Sequence, residues 1–376
     1  MRIAVNARLL LEGKLEGIGL YTHEVVRRLV KRYPDDTFIL LFDRPYSEVF
    51  LYGSNVVPVV VRPPARHPLL WWLWFEWMVP RYLRRYEADV FFTPDGYLSL
   101  RAELPQLMVM HDLAYLHYPD FIPRTTLWYY RRYVPRYLRR ADVVVTVSRA
   151  TAEDIGRHFP GYVRQMAVAY NGCREAFAPL TEEEIAGVRN AYSGGRPYFL
   201  FVSALHPRKN AENLLLAYDL YRQSGGNIDR LMIVGRRAWH TRRLEEIYRK
   251  MKYRREVLFT GYLAERELAA VTGAAFASLY PSYFEGFGVP ILEALHCEVP
   301  VITSNLSSMP EVAGNAALYV DPHAVDEIVR AMHEVEDPAT RARLIEVGRK
   351  QRQKFSWDTT ATKIGELLHR LGQSTP

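Results

Sequence analysis

Cysteine is nearly absent: Cys173 and Cys297 are the only two in 376 residues. Two isolated thiols make neither a disulfide framework nor a thiolate zinc site, and such usage suits a reducing cytoplasm. Long apolar runs are missing as well. None reaches the roughly 18–20 residues that a membrane-spanning helix needs. The opening stretch MRIAVNARLL lacks the apolar core and cleavage site of a secretory signal and reads instead as a first β-strand. No Gly-x-Gly-x-x-Gly follows that strand, which sets aside a nicotinamide oxidoreductase. No Asp-x-Asp and no His/Cys cluster is present to hold a metal. Low-complexity tracts and short repeats are lacking too.

What is present is apolar and aromatic: 49% hydrophobic residues and 13% Phe, Trp and Tyr. That suffices for two cores, and the length is too great for one ordinary core. The net charge is +7, and residues 1–180 carry 24 Lys/Arg against 18 Asp/Glu, so six of the seven excess charges fall in the first half. Such an excess fits an anionic membrane, a phosphorylated ligand or nucleic acid. Nothing else supports nucleic acid.

Short apolar runs alternate with amphipathic segments. In the first half the strand candidates lie at 2–6, 38–42, 58–61, 89–94, 106–112, 142–148 and 166–172. In the second they lie at 198–204, 231–235, 257–261, 276–281 and 300–304. Helical patterns at 19–33, 125–140, 210–223 and 264–273 separate several of them. Continuous apolar strands between helices predict parallel sheets covered on both faces. The pattern runs through twice, with a turn-rich break near 173–197. The expected organisation is α/β, two doubly wound Rossmann-like domains facing a cleft, 1–175 and 176–356, with one more amphipathic helix at 357–376.

In open parallel sheets, ligands sit beyond the carboxyl ends of strands. The loops there are unusual. After 276–281 comes SYFEGFGVPILEALH, with Glu285 and Glu293 separated by seven residues. Gly286 and Gly288 permit close backbone approach, and Pro290 suits the first turn of a helix whose N-terminus favours an anion. A carboxylate makes a poor phosphate ligand, so the two acids are read as acceptors for neutral hydroxyls on either side of a diphosphate. After 198–204 come Arg208 and Lys209, a fork and a point charge suited to a diphosphate leaving group. His111 and Asp112 end the run 106–112. Gly17 and Gly19 precede the first helix, where a lone Gly-x-Gly counts only through its position.

These motifs resemble the family-4 glycosyltransferases of the GT-B fold. The resemblance runs through EGIGLYTHEVVRRL, HDL, VTVSRATAEDI, FVSALHPRKNAENLLLAY, FTGYLAERELAAV, PSYFEGFGVPILEALHCEVPVITS and MPEVAGNAALYVDP. Two departures stand out: YNG in place of the commoner PNG, and Glu298 where a glycine is usual. The resemblance implies metal-independent transfer of a sugar from a nucleotide donor, GDP-mannose or a UDP-sugar, with retention of configuration. It implies a glycan or lipid-linked acceptor, no cofactor, and a last helix, 357–376, that crosses back to the first domain. By motif position, Glu285 meets donor-sugar hydroxyls, Glu293 the ribose, and Phe287, Gly288 and Val289 the phosphate and sugar. Arg208 and Lys209 neutralise the departing diphosphate. His111 stands near the reacting centre, and Gly17 and Gly19 approach phosphates or acceptor. No enzyme nucleophile is apparent, so same-face attack with the departing phosphate as base is expected. A non-catalytic nucleotide-sugar or lipid-binding protein and a sugar-nucleotide epimerase of the same fold are the competing readings.

The aromatic run 67–89 holds four of the seven tryptophans, at 71, 72, 74 and 77, beside Arg81, Arg84 and Arg85. A second such cluster occupies 128–140. Aromatics beside arginines fit a helix lying on anionic lipid, at the inner face of a membrane. They also fit an acceptor pocket, or plain core filling, since the first run is apolar nearly all round.

Overall fold

The computed structural model describes residues 1–236 and 242–373. They form two compact units: Met1–Asn171 together with the chain from Ser356 onward, and Gly172–Phe355.

The first unit is built on a parallel sheet of seven strands: β1 (Arg2–Asn6), β2 (Thr37–Phe42), β3 (Val56–Val60), β4 (Val90–Thr93), β5 (Gln106–Met110), β6 (Val143–Thr146) and β7 (Met166–Val168). Their order is β3-β2-β1-β4-β5-β6-β7. β1 is central, with Ile3 opposite both Phe38 and Val90. Its Ile3, Ala4 and Val5 are almost wholly buried, as continuous apolar runs covered on both faces require. The order reverses between β1 and β4, which leaves a crevice beyond their carboxyl ends.

The last helix, Trp357–Gln373, belongs to this unit. Arg28 on the first helix, Ile18–Arg32, donates to Asp358 at 2.8 Å, and His369 lies 2.8 Å from Asp36.

The tryptophan-rich run divides between two fates. It forms a helix at Pro68–Leu73, a wider π turn at Trp74–Met78 and a second helix at Val79–Arg85. Trp74 and Phe75 are fully buried, and the Trp74 indole donates to the Val61 carbonyl at 2.9 Å. Trp71 packs against Tyr129 and Tyr130 of the helix Arg124–Arg140, so the two aromatic clusters join in one layer. Leu69, Trp72, Trp77 and Trp128 stay exposed, at 69%, 37%, 49% and 59%. Core filling thus explains half of the run and leaves the other half on the surface.

The second unit has six parallel strands: β8 (Phe199–Val202), β9 (Leu231–Val234), β10 (Val257–Gly261), β11 (Ala277–Tyr280), β12 (Val301–Ser304) and β13 (Ala317–Val320), ordered β10-β9-β8-β11-β12-β13. Here the order reverses between β8 and β11. β13 is an edge strand with Tyr319 37% exposed, a short run that the apolar pattern did not single out. Thr181 opens the helix Glu182–Ser193 with a capping box on Glu184. Glu298, the residue standing in for a glycine, adopts a left-handed φ of 58° and pairs with Arg349 at 2.6 Å.

Candidate active site

The reversal point of the second sheet gathers most of the residues marked by the sequence. The loop after β8 runs into a short 3-10 turn, Pro207–Lys209, which His206 caps by accepting from the Arg208 amide. Asn210 ends that turn in a left-handed conformation, φ 62°. Its side-chain amide donates to the Pro281 and Pro322 carbonyls at 2.9 and 2.7 Å. The Tyr283 amide donates to the Arg208 carbonyl at 2.9 Å. The asparagine of the Arg-Lys-Asn motif therefore pins the loop after β8 to the loop after β11, and so fixes where the two cations stand.

Glu285 sits between those cations. Its side chain is buried, and Oε1 accepts from Lys209 Nζ at 2.6 Å and from the Tyr280 hydroxyl at 3.0 Å. Arg208 Nη1 lies 3.9 Å from Oε2 and donates to the Phe284 carbonyl at 3.1 Å. Burial alone would push the Glu285 carboxyl up. Lys209 and Arg208 outweigh that and hold it below the usual carboxylate range. The acid is thus an anion that holds the Lys209 ammonium at 2.6 Å.

The loop is braced from the segment after β12: the Ser308 hydroxyl lies in hydrogen-bond reach of the Glu285 and Phe287 carbonyls, both at 2.9 Å. Phe287 turns inward, 4% exposed, edge-on to Phe355, so any ligand at this residue meets backbone rather than ring. Gly288 takes a φ of 103° that other residues rarely adopt. It caps the helix Val289–His296, with Pro290 in its first turn. The positive end of that helix follows directly on the loop whose Phe284 carbonyl and Glu285 carboxylate Arg208 and Lys209 contact.

Glu293 lies inside this helix, 3% exposed. Arg174 reaches it from the start of the unit, with Nη2 at 2.6 Å and Nε at 3.2 Å, both on Oε1. Burial dominates here and raises the Glu293 carboxyl above the usual range, although Arg174 opposes it. Sequence reading missed Arg174. It lies 119 residues from its partner, in a segment that looked like an interdomain turn.

His111 and the early glycines belong to the first unit. His111 follows β5, and its Nε2 lies 2.7 Å from the Pro94 carbonyl. A carbonyl only accepts, so Nε2 carries the proton and Nδ1 is left as the acceptor. Burial holds the imidazole below its ordinary pKa, so it is neutral near pH 7. Gly17 takes a φ of 49° with open space where a side chain would be. At Gly19, a β-carbon would meet the Leu9 carbonyl oxygen at 2.6 Å, so its missing side chain is accounted for inside the unit.

At the reversal point of the first sheet lies a cavity of about 160 Å³, lined by Asp95, Tyr97, His111, Asp112, Tyr115 and Tyr130 among others. Asp95 is paired with the buried Arg8 at 2.6 Å, and the Arg8 guanidinium lies 4.2 Å from the Tyr97 ring centre. The walls therefore combine aromatic rings and carboxylates with aliphatic side chains such as Ile18, Met110 and Val134, and the buried Arg8 is engaged by Asp95.

Comparison with known proteins bears on both units. The family description "Glycosyltransferase Family 4" matches residues 15–176, and "Glycosyl transferases group 1" matches residues 184–351. The chain is similar to O-antigen chain mannosyltransferase B of Escherichia coli, 29% identical over 93% of this chain and 94% of that one. It is similar to O-antigen chain mannosyltransferase RfbU of Salmonella typhimurium, 26% identical over 81% and 84%. Among solved structures, sucrose-phosphate synthase from Thermosynechococcus elongatus superposes with a TM-score of 0.80 at 20% identity, covering both chains fully. HepE from Anabaena in complex with UDP-glucose gives 0.76 at 18%, over 98% of this chain and 100% of that one.

Proposed function

This chain belongs to the group-1, family-4 glycosyltransferases of the GT-B fold, and on that premise we propose that it moves a mannosyl residue from a nucleoside-diphosphate donor to a glycan or lipid-linked sugar of an O-antigen-type polysaccharide. The names of its relatives favour mannose, and with it GDP-mannose over a UDP-sugar. Retention of configuration and independence from metal are part of the same proposal.

The observation that carries it is the pair Arg208 and Lys209 at the reversal point of the second sheet, facing a glycine loop that leads into a helix N-terminus. When the sugar leaves, negative charge grows on the diphosphate. Two fixed cations and a helix dipole meet that charge without having to reorganise. Glu285 holds Lys209 in place before the donor arrives and then accepts from a donor-sugar hydroxyl. Glu293 takes a ribose hydroxyl. Both Arg174 bonds fall on Oε1, so Oε2 is the oxygen assigned to that contact.

On the acceptor side, the proposal uses the cavity beside His111. Tyr97, Tyr115 and Tyr130 offer ring faces to the C–H face of a sugar, and Asp95 and Asp112 accept from hydroxyls. Two acids there favour a neutral ring over a phosphorylated one. The exposed Leu69, Trp72, Trp77 and Trp128, with Arg101 3.8 Å over the Trp77 ring, support contact with an anionic membrane carrying a lipid-linked acceptor. No described helix is long and apolar enough to cross a membrane.

The test is a thermal-shift and turnover screen. GDP should raise the melting temperature, and GDP-mannose should be consumed in the presence of acceptor, in EDTA as well, with the anomeric centre retained by NMR. If neither GDP nor UDP stabilises the protein, the donor-site reading is wrong.

A further inference from the structure

Sequence spacing alone offers no metal-binding cluster, yet the first unit brings three ligand-type side chains together away from the candidate active site. Asp154 and His158 stand four residues apart on one face of the helix Arg149–His158. His117 arrives from the end of another helix, Ala114–His117, which follows β5. One donor atom from each lies within 4.8 Å of the other two. His117 Nε2 is 2.8 Å from Asp154 Oδ2, and His158 Nε2 is 3.5 Å from Asp154 Oδ1. The two imidazole rings meet edge to face at 5.3 Å, so they converge on the acid rather than stack.

We propose that His117, Asp154 and His158 form a binding site for a divalent transition ion of the zinc type, which ties the two helices together. The spacing fits. Two ligands at about 2.05 Å from a tetrahedral ion stand about 3.3 Å apart; His117 stands 2.8 Å from one Asp154 oxygen and His158 3.5 Å from the other, so small side-chain shifts let one ion meet both imidazoles and the carboxylate. Two imidazoles and one carboxylate suit Zn²⁺, Co²⁺ or Ni²⁺. Ca²⁺ and Mg²⁺ prefer a shell of oxygens, which this site does not offer. Asp154 is buried, with its side chain 5% exposed, so its position is set by the fold. The histidines are 31% and 41% exposed, which leaves an entry path and room for a water ligand. Arg157 Nη2, 3.8 Å from Asp154 Oδ1, is the opposing influence, a like charge on a 72% exposed side chain that solvent screens.

The site would act as a brace. The helix that ends at His117 begins with Ala114 and Tyr115, two residues of the cavity wall. The partner helix already touches the same loop, because the Thr151 hydroxyl donates to the His111 carbonyl at 3.2 Å. An ion joining the helices would stiffen the wall of the cavity from behind. It takes no part in sugar transfer, and its presence or absence is independent of the donor assignment.

The test uses the full-length chain without a histidine tag, stripped with EDTA and dialysed, then titrated with ZnCl2 alone by calorimetry and with CoCl2 by visible absorption. One equivalent should bind, with Co²⁺ showing the intense visible bands of a four-coordinate site with nitrogen ligands. At a hundredfold excess of free Zn²⁺ over Kd, melting of the first unit should rise by about 5–10 °C. The double variant His117→Ala/His158→Ala should lose at least a hundredfold in affinity and lose the Co²⁺ bands. Arg157→Ala should bind more tightly than the parent. The inference is overturned if the parent binds no ion, or if the double variant binds as the parent does. GDP-induced stabilisation, measured on the same double variant, should be unchanged and reads the donor site separately.

Discussion

Replacing Lys209 by Ala should reduce both stability and turnover, and a double-mutant cycle with Glu285→Gln should separate the two effects. Lys209 Nζ lies 2.6 Å from Glu285 Oε1, with the side chains 16% and 7% exposed. Breaking a buried pair from one side costs about 3–5 kcal/mol, because the remaining charge is left without its partner. Arg208, 3.9 Å from the other oxygen, compensates in part. A loss of about 2–3 kcal/mol is therefore expected for Lys209→Ala, a fall of about 5–10 °C in the melting of the second unit. Adding Glu285→Gln removes the orphaned charge, so the double variant should melt several degrees above Lys209→Ala. Turnover should behave differently. A fixed cation facing a departing diphosphate is worth about 3 kcal/mol of barrier, roughly a hundredfold in rate. No neutralisation of Glu285 restores that cation, so kcat/KM should stay low in the double variant. The assignment fails if Lys209→Ala keeps kcat/KM within threefold of the parent. It fails equally if the double variant recovers turnover together with stability, since Lys209 would then serve only to neutralise Glu285.

Five further outcomes follow from the same geometry. The Glu285 carboxyl is held below its ordinary range, so its contribution to stability is present above about pH 4.3, the usual value for Glu, and is lost as the pH falls through the lower folded value; the stability gap between the parent and Glu285→Gln, followed by thermal melting, should close on acidification and not on raising the pH. Arg174→Ala leaves Glu293 buried without its ion-pair partner and should lower the unfolding free energy by about 3–5 kcal/mol, read by denaturant melting, and Glu293→Gln should weaken GDP binding by about tenfold in calorimetry; unchanged affinity would remove the ribose assignment. The His111 imidazole, its ring protons followed by NMR, should titrate with a midpoint below the ordinary 6.5 because burial disfavours its charged form, and a midpoint at or above that value would contradict its burial. Replacing the exposed Trp72, Trp77 and Trp128 by Ser should release the protein from anionic vesicles at unchanged melting temperature; a parent that never sediments with such vesicles ends the membrane reading.

The fold was legible because its strands are buried on both faces. Runs such as RIAVN and YFLFV have no polar side to hide, and each falls on an observed strand. β13 was not legible, since an edge strand with an exposed Tyr319 looks like loop. The candidate site was legible where its residues are local in sequence. Arg208, Lys209, Glu285 and the turn into Val289 announce themselves by residue type and by following a strand. Long-range pairs left no such signal. Arg174 meets Glu293, and His117 meets Asp154, through contacts that only the folded chain creates. Asn210 is an intermediate case: its place after Arg-Lys was visible, but its two bonds to Pro281 and Pro322 were not. The tryptophan run shows a limit of pattern reading, because alternating fates within one helical stretch depend on what packs against each face.

The most direct measurement is a crystal structure of the chain with GDP-mannose bound. The β-phosphate oxygens should lie within hydrogen-bond distance of Lys209 Nζ and the Arg208 guanidinium, with the ribose hydroxyls on Glu293 Oε2 and the sugar hydroxyls on Glu285. A diphosphate seated away from Arg208 and Lys209, with those side chains still turned onto Glu285 and the Phe284 carbonyl, would contradict the account.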